Sequence, residues 1–228
     1  GVSLRMSPDL APWFSPDTSA GLIGVATETG TYPFTLRVTS GGASLDQSCT
    51  VKITTLRSTE QYSLPDAFVG LPYSQALTAA GATSVTWTPN APLPDGLTLG
   101  TDGVLSGTPT AAGSFNINFS VSGDGDTVGG GLGLNVFDIR ITTAAQLPNA
   151  TQYTAYSGQI QAAGGTGSYS FTADGGLPFG LSLDAATGEI AGTTNTGPGN
   201  YGFWVTVTDS NHVSYARRMA IDVVSVPK

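Results

Sequence analysis

An all-β chain built from tandem copies of one small β-sandwich is the fold the sequence predicts, on three observations. A motif recurs at spacings of 83 and 85 residues, anchored on Gly24, Gly107 and Gly192. Within each copy, apolar and polar residues alternate with period two, the pattern of a strand with one face in a core. No segment carries apolar residues at i, i+3, i+4 and i+7, the spacing an amphipathic helix requires.

The first copy opens with Val2-Ser-Leu-Arg-Met6, which aligns with Val85-Thr-Trp-Thr-Pro89 at a displacement of 83. The counterpart of Leu64–Ala82 is missing ahead of it. The spacing therefore predicts an incomplete module at 1–57 lacking its opening strands, then complete modules at 58–142 and 143–228. A sandwich without its opening strands has an unpaired edge and an open core face. Either the chain is an excerpt of a longer array, or another chain supplies the strand.

Each copy next carries a long alternating strand. Tyr32, Phe34, Leu36 and Val38 form the first, Phe115, Ile117, Phe119 and Val121 the second, and Tyr201, Phe203, Val205 and Val207 the third. Turn residues follow at Ser40–Gly42, Gly123–Asp126 and Asp209–His212, and a return strand such as Cys49–Ile53 or Met219–Val223 completes a hairpin. Leu64-Pro65 and Tyr73 match Leu147-Pro148 and Tyr156, and Trp87 matches Phe171 as a candidate core aromatic. Short connections near Thr55–Ser63 and Thr142–Gln146 predict modules laid end to end. Gly129–Gly131 predicts a flexible or bulged stretch of hairpin.

Leu93-Pro-Asp-Gly-Leu-Thr-Leu99, Gly103-Val-Leu-Ser-Gly-Thr-Pro109, Gly113-Ser-Phe115 and Val121 together resemble the immunoglobulin-like repeat of bacterial surface proteins, a family related in pattern to dystroglycan-type cadherin-like modules. Leu177–Asp184, Thr187–Thr193, Tyr201 and Val205–Asp209 fit the same motif more fully. The resemblance implies tandem immunoglobulin-like β-sandwich modules in a secreted or surface protein, and it implies no catalytic activity. The paired cysteines of antibody domains are missing, so each core must hold by apolar packing.

Composition narrows the role. Only 11% of the 228 residues are charged, against about 25% in an average domain. A net charge of −8 excludes a nucleic-acid backbone binder, which needs clustered Lys and Arg. One cysteine excludes an internal disulfide framework and multi-cysteine metal sites. No run of about 18 apolar residues is present to span a membrane. The chain starts at Gly1 without a basic, then apolar, leader, so any secretory signal has been removed or excluded. Low charge with abundant Thr, Ser and Gly points to an extracellular or cell-surface location.

Few residues carry chemistry. Asp124 and Asp126, with Asp209 in the equivalent turn, offer the carboxylate oxygens that Ca²⁺ takes, although the cadherin calcium motifs are missing and turn chemistry accounts for the same residues. Asp95, Asp102 and Asp184 sit in repeat-equivalent turns, where a structural role explains them better than a paired-carboxylate hydrolase. Cys49 shares parity with Val51 and Ile53 and should point inward as a small hydrophobe. His212, alone in its turn, reads as a solvated loop residue. Asn149-Ala-Thr151 and Asn118-Phe-Ser120 match the glycosylation sequon. Trp204 alternates with core residues, so it faces out of its sheet, either covered by a neighbouring module or open to a partner. Trp204 and Trp13 are the candidate partner contacts.

The expected function is a non-enzymatic, extracellular structural or adhesive stalk that requires no cofactor and meets a protein partner or neighbouring subunit. One alternative is a subunit of a surface filament assembled by inter-subunit β-strand addition, completing the first module. Another is an accessory region of a secreted enzyme that binds a surface glycan through Trp204 or Trp13.

Overall fold

The computed structural model describes residues 2–6, 20–60 and 62–226. Every regular element among them is a strand. No helix long and apolar enough to cross a membrane occurs among the described residues. The first stretch holds β1 (Val2–Met6), β2 (Ala20–Gly24), β3 (Gly30–Ser40) and β4 (Ala43–Ile53). The second holds β5 (Arg57–Ser58), β6 (Ala67–Phe68), β7 (Tyr73–Ala76), β8 (Ala79–Ala80), β9 (Thr86–Pro89), β10 (Leu97–Leu99), β11 (Val104–Gly107), β12 (Gly113–Gly123) and β13 (Asp126–Phe137). The third holds β14 (Ile139–Ile141), β15 (Ala150–Thr151), β16 (Ala155–Gln159), β17 (Ala162–Gly164), β18 (Ser170–Asp174), β19 (Leu181–Leu183), β20 (Glu189–Thr193), β21 (Gly199–Thr208) and β22 (Ser214–Val224).

The second and third stretches are copies of one architecture. A four-stranded sheet ordered β6-β13-β12-β9 opposes a three-stranded sheet ordered β10-β11-β7, with β5 and β8 paired beside them. The third repeats this as β15-β22-β21-β18, β16-β20-β19 and β14-β17. In both, the short opening strand of the larger sheet runs parallel to the last strand, and the other pairings are antiparallel. Alternation decides the cores. Ile117, Phe119 and Val121 of β12 are buried, as are Phe203, Val205 and Val207 of β21.

Trp87 lies 1% exposed at the centre of the second core, its ring centroid 5.0 Å from that of Phe119. Phe171 takes the same place in the third core. Each ring lies over a glycine, since a Cβ on Gly103 would fall 2.7 Å from Trp87 Nε1 and one on Gly188 would fall 3.1 Å from the Phe171 ring. The matched tyrosines act alike. Tyr73 donates to Pro65 O at 3.2 Å and Tyr156 to Pro148 O at 3.1 Å, tying each Leu-Pro corner to its sheet. Burial, with the Asp66 charge second, pushes the Tyr73 hydroxyl up to about 12.

The anchoring glycines answer a close approach. Gly107 has φ +139°, and a Cβ on it would fall 2.0 Å from Gly96 O. Gly192 and Gly180 repeat the arrangement at the same 2.0 Å. At the tip of the first hairpin, Gly41 and Gly42 have φ +55° and +84°, the two positive-φ residues of a turn that matches strand twist.

Two expectations change. Gly129–Gly131 is neither flexible nor bulged, because β12 and β13 pair in unbroken register from Gly113↔Val136 to Gly123↔Asp126. Gly130 instead leaves room for a ring: a Cβ there would fall 2.6 Å from Phe119. The stretch expected to be a plain connection at Thr55–Ser63 carries β5, which pairs with β8. Thr142–Gln146 carries no named strand; β14 just ahead of it pairs with β17, and Ile139 and Ile141 lie in the third core. Only Asp138 separates β13 from β14.

In the first stretch β1 pairs with β2 and β3 with β4, as two separate ribbons. Phe34, Leu36, Cys49, Val51 and Ile53 are half-buried, as their alternation requires. On the same hairpin Tyr32, Val38 and Leu45 are 42%, 58% and 71% exposed, so this apolar face is only partly covered.

Candidate functional site

The outward face of the β18-β21-β22 sheet carries the candidate contact. Trp204 lies on β21, 52% exposed, directly opposite Asp174 of β18 on one side and Arg218 of β22 on the other. Its parity predicted this outward orientation. Arg218 and Asp174 are exposed, and their side chains carry no hydrogen bond or ion pair among the described residues. Trp13, the other candidate contact, lies outside the described residues.

The three candidate calcium carboxylates are each engaged separately. Asp124 Oδ2 accepts the Thr83 N–H at 2.8 Å. Asp126 is held by the Lys52 ammonium and the Thr54 hydroxyl. Asp209, 5% exposed, accepts Asn211 N–H and Val213 N–H on Oδ1, both at 2.9 Å, and Thr166 N–H on Oδ2 at 2.8 Å. Burial, the largest influence, pushes the Asp209 carboxyl up, but these three N–H donors and the nearby His212 together outweigh it and leave it lowered. Among the described residues no three His, Cys, Asp or Glu side chains converge on a metal position.

The remaining residues singled out hold turns. Asp184 Oδ1 accepts the Thr187 N–H, the Thr187 hydroxyl and the Ala186 N–H, which in that order lower its carboxyl. Asp102 Oδ1 accepts the Val104 N–H at 3.1 Å. Asp95 accepts the Thr110 N–H through its main-chain oxygen at 3.1 Å. His212 has φ +62° and is exposed. Cys49 is a free, half-buried thiol. Asn149 is exposed, and Asn118 is partly buried on β12.

Sequence reasoning missed the joints between modules. The exit of β13 meets the start of β22: Phe137 and Tyr215 have ring centroids 4.9 Å apart, and Phe68 stands edge-on to Tyr215 at 5.3 Å. Burial, with the Asp66 charge second, raises the Tyr215 hydroxyl. The exit of β4 meets the β12–β13 turn in a similar way, through Lys52, Thr54 and Asp126. The Lys52 ammonium also donates to Gly125 O at 3.2 Å. In both joints the end of one module's last strand touches the final hairpin of the next.

These observations define a class first: immunoglobulin-like β-sandwiches repeated head to tail. The family described as "Putative Ig domain" matches twice, over residues 57–135 and 139–224, and the chain belongs to it. None of the curated proteins matches the sequence. Among solved structures, the chain is similar to an endo-fucoidan hydrolase of glycoside hydrolase family 107, at 18% identity and TM-score 0.33, covering 100% of this chain and 39% of that one. It is similar to Drosophila OTK extracellular domains 3–5 at 13% identity and TM-score 0.39, covering 90% and 73%. It is similar to Drosophila N-cadherin EC1-4 at 12% identity and TM-score 0.35, covering 98% and 67%. The chain thus spans about two-fifths of the length of the fucoidan hydrolase.

Proposed function

We propose that this chain is a non-enzymatic part of an extracellular or cell-surface protein, in which immunoglobulin-like modules form a stiff structural or adhesive stalk. The observation that carries the reading is the joint between the complete modules. A single residue, Asp138, connects β13 to β14, and the Phe68–Phe137–Tyr215 cluster fills the corner beside it. A connection that short leaves no slack, and contacts among half-buried aromatic rings resist bending. The low charge and the Thr- and Ser-covered outer faces support an extracellular location. The turn duties of Asp102, Asp184 and Asp209 support a role without catalysis.

Small-angle scattering of the full chain tests this. The expected result is an elongated particle with one well-defined maximum dimension. A compact globule, or the profile of freely jointed beads, would count against a stalk.

The exposed Tyr32, Val38 and Leu45 favour a second reading, in which a strand from a neighbouring subunit covers the β3–β4 ribbon. Sedimentation showing only monomer at high concentration would remove it.

A further inference from the structure

We infer that the Asp174–Trp204–Arg218 row of the third module is a binding site for a neutral polysaccharide. The repeat supplies an internal comparison. Trp204 sits between core residues Phe203 and Val205, as Asn118 sits between Ile117 and Phe119. In the second module the corresponding row is Asn90, Asn118 and Gly131, all small or amide side chains with no aromatic ring. The two modules keep one sheet plan, and among the outward-facing positions of this sheet it is this row that gains an aromatic ring, with Asn–Asn–Gly exchanged for Asp–Trp–Arg. Core packing cannot demand the change, because Trp204 is 52% exposed.

The row is prepared for contact. Arg218 lies across Gly202, where a Cβ would fall 3.1 Å from Nη2 and 3.3 Å from Nε, so glycine at 202 makes room for the guanidinium on the same face as the indole. Residues 202 and 204 share that face about 7 Å apart along the strand. One apolar ring is therefore flanked by an acceptor-only carboxylate and a donor-only guanidinium, both with unspent hydrogen-bond capacity among the described residues.

That combination fits a pyranose. The C–H face of a sugar ring stacks on an indole, and its hydroxyls both donate to Asp174 and accept from Arg218. A protein interface is the poorer match, because it needs an apolar centre several side chains wide. Here the next outward-facing row of the sheet holds Thr206 and Ala216 instead. A sulfated or acidic polysaccharide is disfavoured by Asp174 and by the net charge of −8.

The inference rests on the extracellular reading above, and its test is separable, since particle shape does not depend on polysaccharide binding. The full chain is run in native gels containing galactomannan, mixed-linkage β-glucan, xylan or dextran sulfate, and its self-association is followed by sedimentation velocity. The expected result is retardation by at least one neutral polysaccharide. Trp204→Ala should weaken it about tenfold or more, as loss of a central aromatic contact does. Asp174→Ala and Arg218→Ala should each weaken it severalfold, and Trp204→Phe should restore part of it. Unchanged core-methyl NMR shifts of Val207, Ile190 and Ile221, all buried in the third module, report that each variant is folded. The inference is overturned if no neutral polysaccharide retards the chain, if only dextran sulfate does, or if Trp204→Ala is retarded like the parent. It is equally overturned if Trp204→Ala abolishes a dimer, which would assign the face to a second copy.

Discussion

Phe137 and Tyr215, 78 positions apart in the chain, meet edge to face with ring centroids 4.9 Å apart and an interplanar angle of 65°. Phe137 closes the last strand of the second module and Tyr215 begins the last strand of the third, so the contact couples two otherwise separate cores. Aromatic pairs of this geometry contribute about 0.5–1.5 kcal/mol beyond the area they bury. A double-mutant cycle on Phe137→Ala and Tyr215→Ala, read by urea denaturation, should return a coupling in that range. Strict additivity would show that the modules touch without supporting each other.

The joint at Lys52 works through charge rather than aromatic packing. The Lys52 ammonium, with the Thr54 hydroxyl second, lowers the Asp126 carboxyl below its usual value. The folded value is depressed, so the contact is fully present above the ordinary carboxylate range near pH 4. It is lost as pH falls through the lower folded value. A carboxyl titration followed by NMR should place Asp126 low in the parent and higher in Lys52→Met. Added salt at about 1 M should weaken the contact as well, since the pair is open to solvent. An unchanged midpoint in Lys52→Met would refute the assignment.

What could be read from the sequence, and what could not, follows from which residues repeat. Trp87 and Phe171, Tyr73 and Tyr156, and the glycines at 107 and 192 recur because each module solves the same packing problem. Alternation alone was enough to turn Trp204 outward. The joints were hidden because their residues do not recur in kind: Lys52 and Asp126 serve one, Phe137 and Tyr215 the other. Gly130 was misread because glycine inside a strand signals a bulge or a close approach equally well. Only the position of the Phe119 ring decides between them.

Asp209 gives a prediction about acid and calcium together. Its two oxygens already accept three main-chain N–H groups, which fasten the Thr166 loop to the Asp209–Val213 turn. Its carboxyl is lowered, so the stability it supplies is present above the usual carboxylate range and is lost as pH falls through the folded value. Thermal denaturation of Asp209→Asn should show a lower Tm than the parent at pH 7. It should also show a shallower decline between about pH 4 and pH 2. Calcium or EDTA should leave the parent Tm unchanged, because the oxygens that would bind the ion are occupied. A calcium-dependent rise in Tm that Asp209→Asn abolishes would return this turn to metal binding.

Adjacent glycines in one strand make the sharpest test of packing. A Cβ at Gly130 would meet the Phe119 ring at 2.6 Å, whereas a Cβ at Gly129 would meet nothing nearer than Phe119 O at 3.9 Å. Phe119 is 1% exposed and lies against Trp87, so its ring has little room to retreat. Gly130→Ala should therefore cost about 1–3 kcal/mol, the usual range for overpacking a core. Gly129→Ala, on the solvent side of the same strand, should be neutral or slightly stabilising, because alanine restricts the unfolded chain more than glycine does. Urea denaturation of the two variants measures the difference directly. Equal effects would mean that the Phe119 ring yields freely and that Gly130 is not reserved for it.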